Sequence, residues 1–256
     1  MKKISLFVMM LALILTGCAT KVVGLQKDKS LTYESMQSGP LVIGGVVDAA
    51  NEKPVISNIN SMNQLRGQLA EETEGLSIAR SGLVRATIGS RTYKKILQEY
   101  RDDSSLSEKS ISLLAQKLKG KRYLIFSRIQ RDEPFQDRSE SKDVDSKGND
   151  TGSKSINMVS GRAVDATFDI VDLHLKKTVW SGLIKKEKRN QQSYKYSPTK
   201  KDNSGFGGLI NLVKTIKGTD GEAAPLPDYK YPKSPSTQSI LPSLFAGFAE
   251  NLPEKS

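Results

Sequence analysis

Residues Val164 to Lys185 constrain the fold more tightly than any other stretch of the chain. Val164, Ala166, Phe168 and Ile170 share one face of an extended strand, and Asp165, Thr167 and Asp169 share the other, because successive strand side chains point to opposite sides. The phase slips near Val171, which implies a bulge or burial on both faces there. Lys176-Lys177 makes a turn, and Thr178 to Lys185 returns as a strand carrying Trp180, the only tryptophan in 256 residues. This pattern is an antiparallel β-hairpin with one apolar face, and that face needs a covering layer.

The segments upstream supply the rest of a layered domain. Leu41 to Asp48 is short, β-branched and nearly all apolar, as a strand buried on both faces is. Ser61 with Gln64 three residues on forms a capping box for a helix bearing Met62, Leu65 and Leu69. Leu76 to Arg80 reads as a second strand. Ser90 caps a helix whose apolar face is Tyr93, Ile96, Leu97 and Tyr100. Ser107 caps another with Ile111, Leu114, Ala115 and Leu118, which Gly120 stops. Tyr123 to Ile129 is a strand. Glu133 to Ser155, dominated by Ser, Asp, Lys, Gly and Asn, reads as a long disordered loop. Beyond Lys188 the pattern loosens to a helix over Gly208 to Lys217 and a Pro-rich stretch with Tyr229 and Tyr231. A last amphipathic helix then presents Leu241, Leu244, Phe245, Phe248 and Leu252, with Pro242 in its first turn and Pro253 ending it. Such a helix is expected to cover the domain's own sheet. The expected class is α/β (α+β): a mixed sheet of about five strands flanked by helices.

At the amino terminus Lys2 and Lys3 precede ten apolar residues, Leu6 to Leu15. That run is short of the ~20 residues a membrane-spanning helix needs and suits a secretory signal peptide. It closes on Leu15-Thr16-Gly17-Cys18, which resembles the lipobox of bacterial lipoproteins, and Cys18 is the chain's only cysteine. The resemblance implies cleavage before Cys18, a diacylglycerol on its thiol and an acyl chain on its new amino group. Three chains anchor a protein far more firmly than one, at about 0.8 kcal/mol per buried methylene. By resemblance to lipoprotein sorting, Ala19 after the cysteine implies the outer membrane. The expected organisation is a signal peptide at 1–17, an acylated cysteine and flexible tether at 18–40, an α/β periplasmic domain at 41–188, and a loosely structured basic and Pro-rich extension at 189–256. The 22 residues Ala19 to Pro40 would reach about 70 Å extended, or about 25 Å as a coil.

The order of elements, with Phe168-Asp-Ile-Val-Asp-Leu-His-Leu-Lys-Lys-Thr-Val-Trp-Ser-Gly at its end, resembles a periplasmic domain shared by three groups of envelope proteins. These are the TolB amino-terminal domain, the curli-secretion channel lipoprotein and the outer-membrane lipoprotein that activates a penicillin-binding protein. The resemblance runs over roughly Leu41 to Lys188 and implies the fold. It leaves function open, because one fold hosts several. A pore is not expected, since neither Glu133 to Ser155 nor the region after Lys188 alternates as membrane-crossing strands of about 9–11 residues do.

The formal net charge is +11, and removal of two lysines with the signal peptide leaves +9. A basic set runs along and beyond the last hairpin strand: Lys185, Lys186, Lys188, Arg189, Lys195, Lys200 and Lys201. It suits anionic headgroups or lipopolysaccharide phosphates, and equally a charged strand edge that discourages pairing. His174 is the only histidine and sits at the hairpin turn, so Ser-His, Cys-His and transition-metal sites lack their parts. The paired acids Glu71-Glu72 and Asp102-Asp103 lie at a helix end and in a linker; a carboxylate pair assembled from distant positions stays open. The expectation is a non-enzymatic outer-membrane lipoprotein facing the periplasm, a protein–protein scaffold or accessory factor in envelope assembly or transport. The alternative is direct binding of lipopolysaccharide or peptidoglycan through the basic set. No metal and no cofactor beyond the lipid on Cys18 is expected. The expected partners are the membrane and an envelope protein, with no nucleic acid; oligomeric state stays open.

Overall fold

A computed structural model describes residues 22–51, 59–196 and 229–255. Cys18, Lys200, Lys201 and the helix expected over Gly208 to Lys217 lie outside them. Among the described residues the architecture is α+β, with a mixed five-stranded sheet and six α-helices. In chain order the elements are β1 (Val22–Lys27), α1 (Tyr33–Gln37), β2 (Val42–Asp48), α2 (Ile59–Glu72), α3 (Leu83–Ile88), α4 (Ser90–Asp103), α5 (Glu108–Lys117), β3 (Tyr123–Val144), β4 (Asp150–Asp172), β5 (Lys177–Tyr196) and α6 (Leu241–Ala249). The sheet order is β1-β5-β4-β3-β2, with β2 parallel to β3 and β1 antiparallel to β5.

The chain divides into two compact units. The first holds residues up to Pro134, Arg162–Lys188 and Pro235 onward, and it contains two hydrophobic cores. In one, Val164, Ala166, Phe168, Ile170 and Trp180 lie with Met62, Leu65 and Leu69 of α2 and with Leu244, Phe245 and Phe248 of α6. In the other, Val171 and Phe126 lie with Tyr93, Ile96, Leu97 and Tyr100 of α4 and Ile111 and Leu114 of α5. Ile170 and Val171 therefore belong to opposite cores, and burial on both faces explains the slip in alternation. The terminal helix covers the sheet: Phe168 stacks on Phe248 at 4.6 Å and 7°.

In β2 the pairing with β3 shifts between Ile43 and Gly45. Ile43 and Val46 join the first core, and Val42 and Val47 the second. A Cβ on Gly44 would run into the Phe126 ring, and one on Gly45 into Leu97. The two glycines thus give an aromatic ring and a leucine room against the main chain.

Five sequence readings change. Ala19 to Pro40 is not a tether throughout: β1 pairs with β5, with Val22 opposite Ile184 and Lys27 opposite Trp180, and Leu31 and Met36 are buried. Thr32 and Ser35 form a reciprocal cap at α1. Glu133 to Ser155 is not a disordered loop but the outer part of β3, a turn at 145–149, and the start of β4. Composition misled because it reports side-chain apolar area, whereas β4 lies between β3 and β5 and has main-chain partners on both sides. Leu76 to Arg80 reduces to a single parallel bridge between Ile78 and Leu41. Helix α2 already starts at Ile59, so Ser61 is buried inside it rather than capping it; Gly89, not Ser90, occupies the N-cap of α4. Ser107 does cap α5, accepting from the Ser110 amide at 3.3 Å.

Candidate interaction surfaces

The basic set falls on β5, and strand geometry divides it. In the first unit Lys185 and Lys186 point to opposite faces, since successive side chains alternate. Lys185 Nζ lies 3.8 Å from the carboxylate of Asp165, a residue on the polar face of β4. In the second unit the Arg189 guanidinium sits over the Phe135 ring at 5.5 Å, and Lys195 Nζ lies 3.0 Å from Asp143. The Ser155 hydroxyl, with Lys195 beside it, holds the Asp143 carboxyl below the usual carboxylate range. The set is therefore not one uninterrupted cationic face: three of its members already have acidic or aromatic neighbours.

The second unit comprises Phe135–Gly161 and Arg189–Ser234. It is a ribbon of the outer parts of β3, β4 and β5. Ile156, Met158 and Ser160, at alternate positions on the central strand β4, are buried. A Cβ on Gly161 would strike the Phe135 ring, so the glycine is what admits that ring. Residues 229–234 run along β5: Tyr229 stacks on Tyr194 at 4.4 Å, whose hydroxyl donates to the Lys230 carbonyl at 3.0 Å, while Asn190 donates to the Lys233 carbonyl at 2.7 Å. Tyr229 and Tyr231 thus belong to this unit, and Phe245 and Phe248 to the core of the other. The strands are long enough to cross a membrane, at 22, 23 and 20 residues. Their outer parts, however, do not alternate apolar and polar residues as lipid-facing strands do.

A site that could not be read in the sequence lies in the first unit at the carboxyl end of β2, where its parallel pairing with β3 stops at Asp48 and Ile129. A cavity of about 300 Å³ there is lined by Asp48, Asn51, Asp132 and Thr237. Arg162 donates to Asp132 at 2.6 Å and to the Pro235 carbonyl at 2.9 Å, and the Thr237 hydroxyl donates to Asp132 at 2.7 Å. Asp132 is thus committed to clasping the C-terminal segment against β3. An adjoining cavity of about 450 Å³ holds Arg101, Asp102 and Arg128. Arg128 Nε donates to the Arg101 carbonyl at 2.7 Å, while Asp102 accepts from Gln98 at 2.6 Å and from Arg101 at 2.9 Å. These groups can recognise a polar ligand. Their distance along the sequence kept them from being read as one place.

His174 is exposed in the β4–β5 turn, where its main-chain N–H donates to Asp172. Among the described residues no three of His, Cys, Asp and Glu gather as metal ligands would, and no helix is long and apolar enough to cross a membrane.

No family model matches the chain, and no curated protein matches it significantly in sequence. Solved structures with a similar backbone include two crystal forms of the PelC dodecamer from Paraburkholderia phytofirmans, at 11% identity, covering 92% of this chain and 99% of that one, with TM-scores of 0.40 and 0.38. The lipoprotein GNA1162 from Neisseria meningitidis is 12% identical over 66% of this chain and 87% of its own, with a TM-score of 0.28. At these identities and scores, function has to be read from the chain itself.

Proposed function

We propose that this chain is a non-enzymatic lipoprotein of the outer membrane, facing the periplasm, whose α+β domain is a docking scaffold for another envelope protein. The observation that carries the reading is Leu15-Thr16-Gly17-Cys18 at the end of a signal-peptide-like leader, with no second cysteine in the chain. The resemblance of the Phe168 to Gly182 hairpin to the TolB amino-terminal group supports the same setting. The ribbon of the second unit fits a docking role: it extends main-chain and polar side-chain groups over Phe135–Gly161.

Cys18→Ser tests the anchor. The variant should remain an unprocessed precursor without lipid, because no other thiol can accept it; a variant that stays with outer membranes after carbonate washing overturns the reading. Crosslinking in intact cells, followed by capture at increasing salt, tests the scaffold. A protein partner retained at moderate salt supports docking. Capture that collapses with salt favours an anionic envelope component on the Lys185 to Lys195 strand, since exposed charges are screened within about 8–10 Å at physiological ionic strength.

A further inference from the structure

Residues Ala19, Thr20 and Lys21 are all that separate Cys18 from the first residue of β1, Val22. At no more than about 3.6 Å per residue, Val22 lies within about 14 Å of the cysteine α-carbon. β1 is also an outer strand of the sheet, hydrogen-bonded among the described strands to β5 alone. Its outward character is apolar: Val23 and Leu25 are each 44% exposed, among the few large apolar residues so exposed. Gly24, with φ of +65°, lies between them, where the pairing with β5 shifts between Val23 and Gln26. A strand edge normally carries charge or polar groups to discourage association; this one carries two aliphatic side chains at its lipid-proximal end. Lys27 and Lys29 follow on the same segment, both exposed, while the carboxylate of Asp28 between them is engaged by Lys177 Nζ at 2.5 Å.

Resting on the anchor reading of Cys18, we infer that β1 is a membrane-contact edge: Val23 and Leu25 seat in the headgroup–acyl boundary of the phospholipid leaflet that holds the acyl chains, with Lys27 and Lys29 against its phosphates. The short linker selects this occupant, because it holds the strand at the leaflet whatever else the domain binds. Charge complementarity agrees, since the mature chain is basic and phospholipid surfaces are anionic. The consequence is an oriented domain: the sheet stands on its β1 edge rather than swinging on a long tether.

Because lipid occupies the only native thiol, a cysteine introduced elsewhere can be spin-labelled uniquely. The full acylated chain carrying Leu25→Cys, Val23→Cys or, as a solvent control on α4, Lys94→Cys is reconstituted in vesicles of phosphatidylethanolamine and phosphatidylglycerol. The labels at 25 and 23 should be several-fold less accessible to a water-soluble nickel chelate, and more accessible to oxygen, than the label at 94. Lys27→Gln with Lys29→Gln should weaken that protection. Equal accessibility at 25, 23 and 94 overturns the inference while leaving the anchor intact. Protection accompanied by dipolar broadening between labels also overturns it, in favour of β1 pairing with a second copy. Mass spectrometry showing Cys18 without lipid overturns the anchor reading and this inference together.

Discussion

The indole of Trp180 meets the ring of Phe248 edge-on, with centroids 5.0 Å apart and planes at 81°. One residue lies on the returning strand of the hairpin and the other on the last helix, so their contact ties the carboxyl end of the chain to the sheet. Both are fully buried, and the indole N–H has no partner among the described residues, so Trp180 contributes through packing. Trp180→Ala and Phe248→Ala should each cost about 3–5 kcal/mol, and the double variant less than their sum, because the second deletion enlarges a cavity already made. Trp180→Phe should cost clearly less than Trp180→Ala. Denaturant unfolding of the four variants measures this, and a cost below 1 kcal/mol for Trp180→Ala, on the scale of a surface substitution, would refute the packing account.

Asp172 is completely buried and holds the β4–β5 turn together. One oxygen accepts from the His174 and Leu175 amides at 2.8 and 3.0 Å, and the other accepts from Arg122 Nε at 2.9 Å. Asp172→Ala leaves those donors without their acceptor and should destabilise the first unit by about 1–3 kcal/mol. Asp172→Asn, which keeps one acceptor oxygen, should lie between. Thermal melts that rank the two variants in the opposite order would show that the turn does not depend on the carboxylate.

Burial pushes the Asp169 carboxyl above its usual value of 3.8, although Ser181 and the Tyr100 hydroxyl both hydrogen-bond to it, the latter at 2.6 Å. A raised folded-state value means that the native state holds the proton more tightly than the unfolded state does. This contribution to stability is full below about pH 4 and is lost as pH rises through the folded value. Asp169→Asn keeps an oxygen for Tyr100 and cannot ionise. It should gain stability relative to the parent as pH is raised from 4 to 8, in paired denaturation curves. A difference that stays flat across that range would contradict the assignment.

Within residues 133–161 the two readings of the sequence predict different cleavage. A disordered loop would be cut at Arg138, Lys142, Lys147 and Lys154 alike. In the folded chain Lys147 lies in the 145–149 turn, where the Asp145 carboxylate accepts from the amides of residues 147 and 149, whereas the other three lie in β3 or β4. Brief trypsin treatment should therefore cut after Lys147 first, as exposed turns are the preferred sites of nicking. Equal early cleavage at Arg138 and Lys154 would return this segment to disorder.

What could be read in the sequence were the elements whose side chains report their own burial. The alternation of Val164 to Ile170, the Tyr93, Ile96, Leu97 and Tyr100 stripe of α4, and Ser107 at the head of α5 are local signals, and each element stands where they place it. The apolar stripe of α6 likewise announced a helix with a sheet to cover. Only the tertiary structure could decide the elements stabilised by distant main-chain partners. β1 is exposed along nearly its whole length and is a strand because β5, some 150 residues later, offers its edge. Within residues 136–155 the outer parts of β3 and β4 carry almost no apolar side chains, and they are strands because each runs beside another, a pairing that leaves almost no mark on side-chain composition. The Asp132, Arg162 and Thr237 clasp depends on the same long-range folding, since its members meet across 105 positions of sequence. Side-chain burial is written in the local pattern; main-chain pairing between distant segments depends on the fold, which alone decides which segments become neighbours.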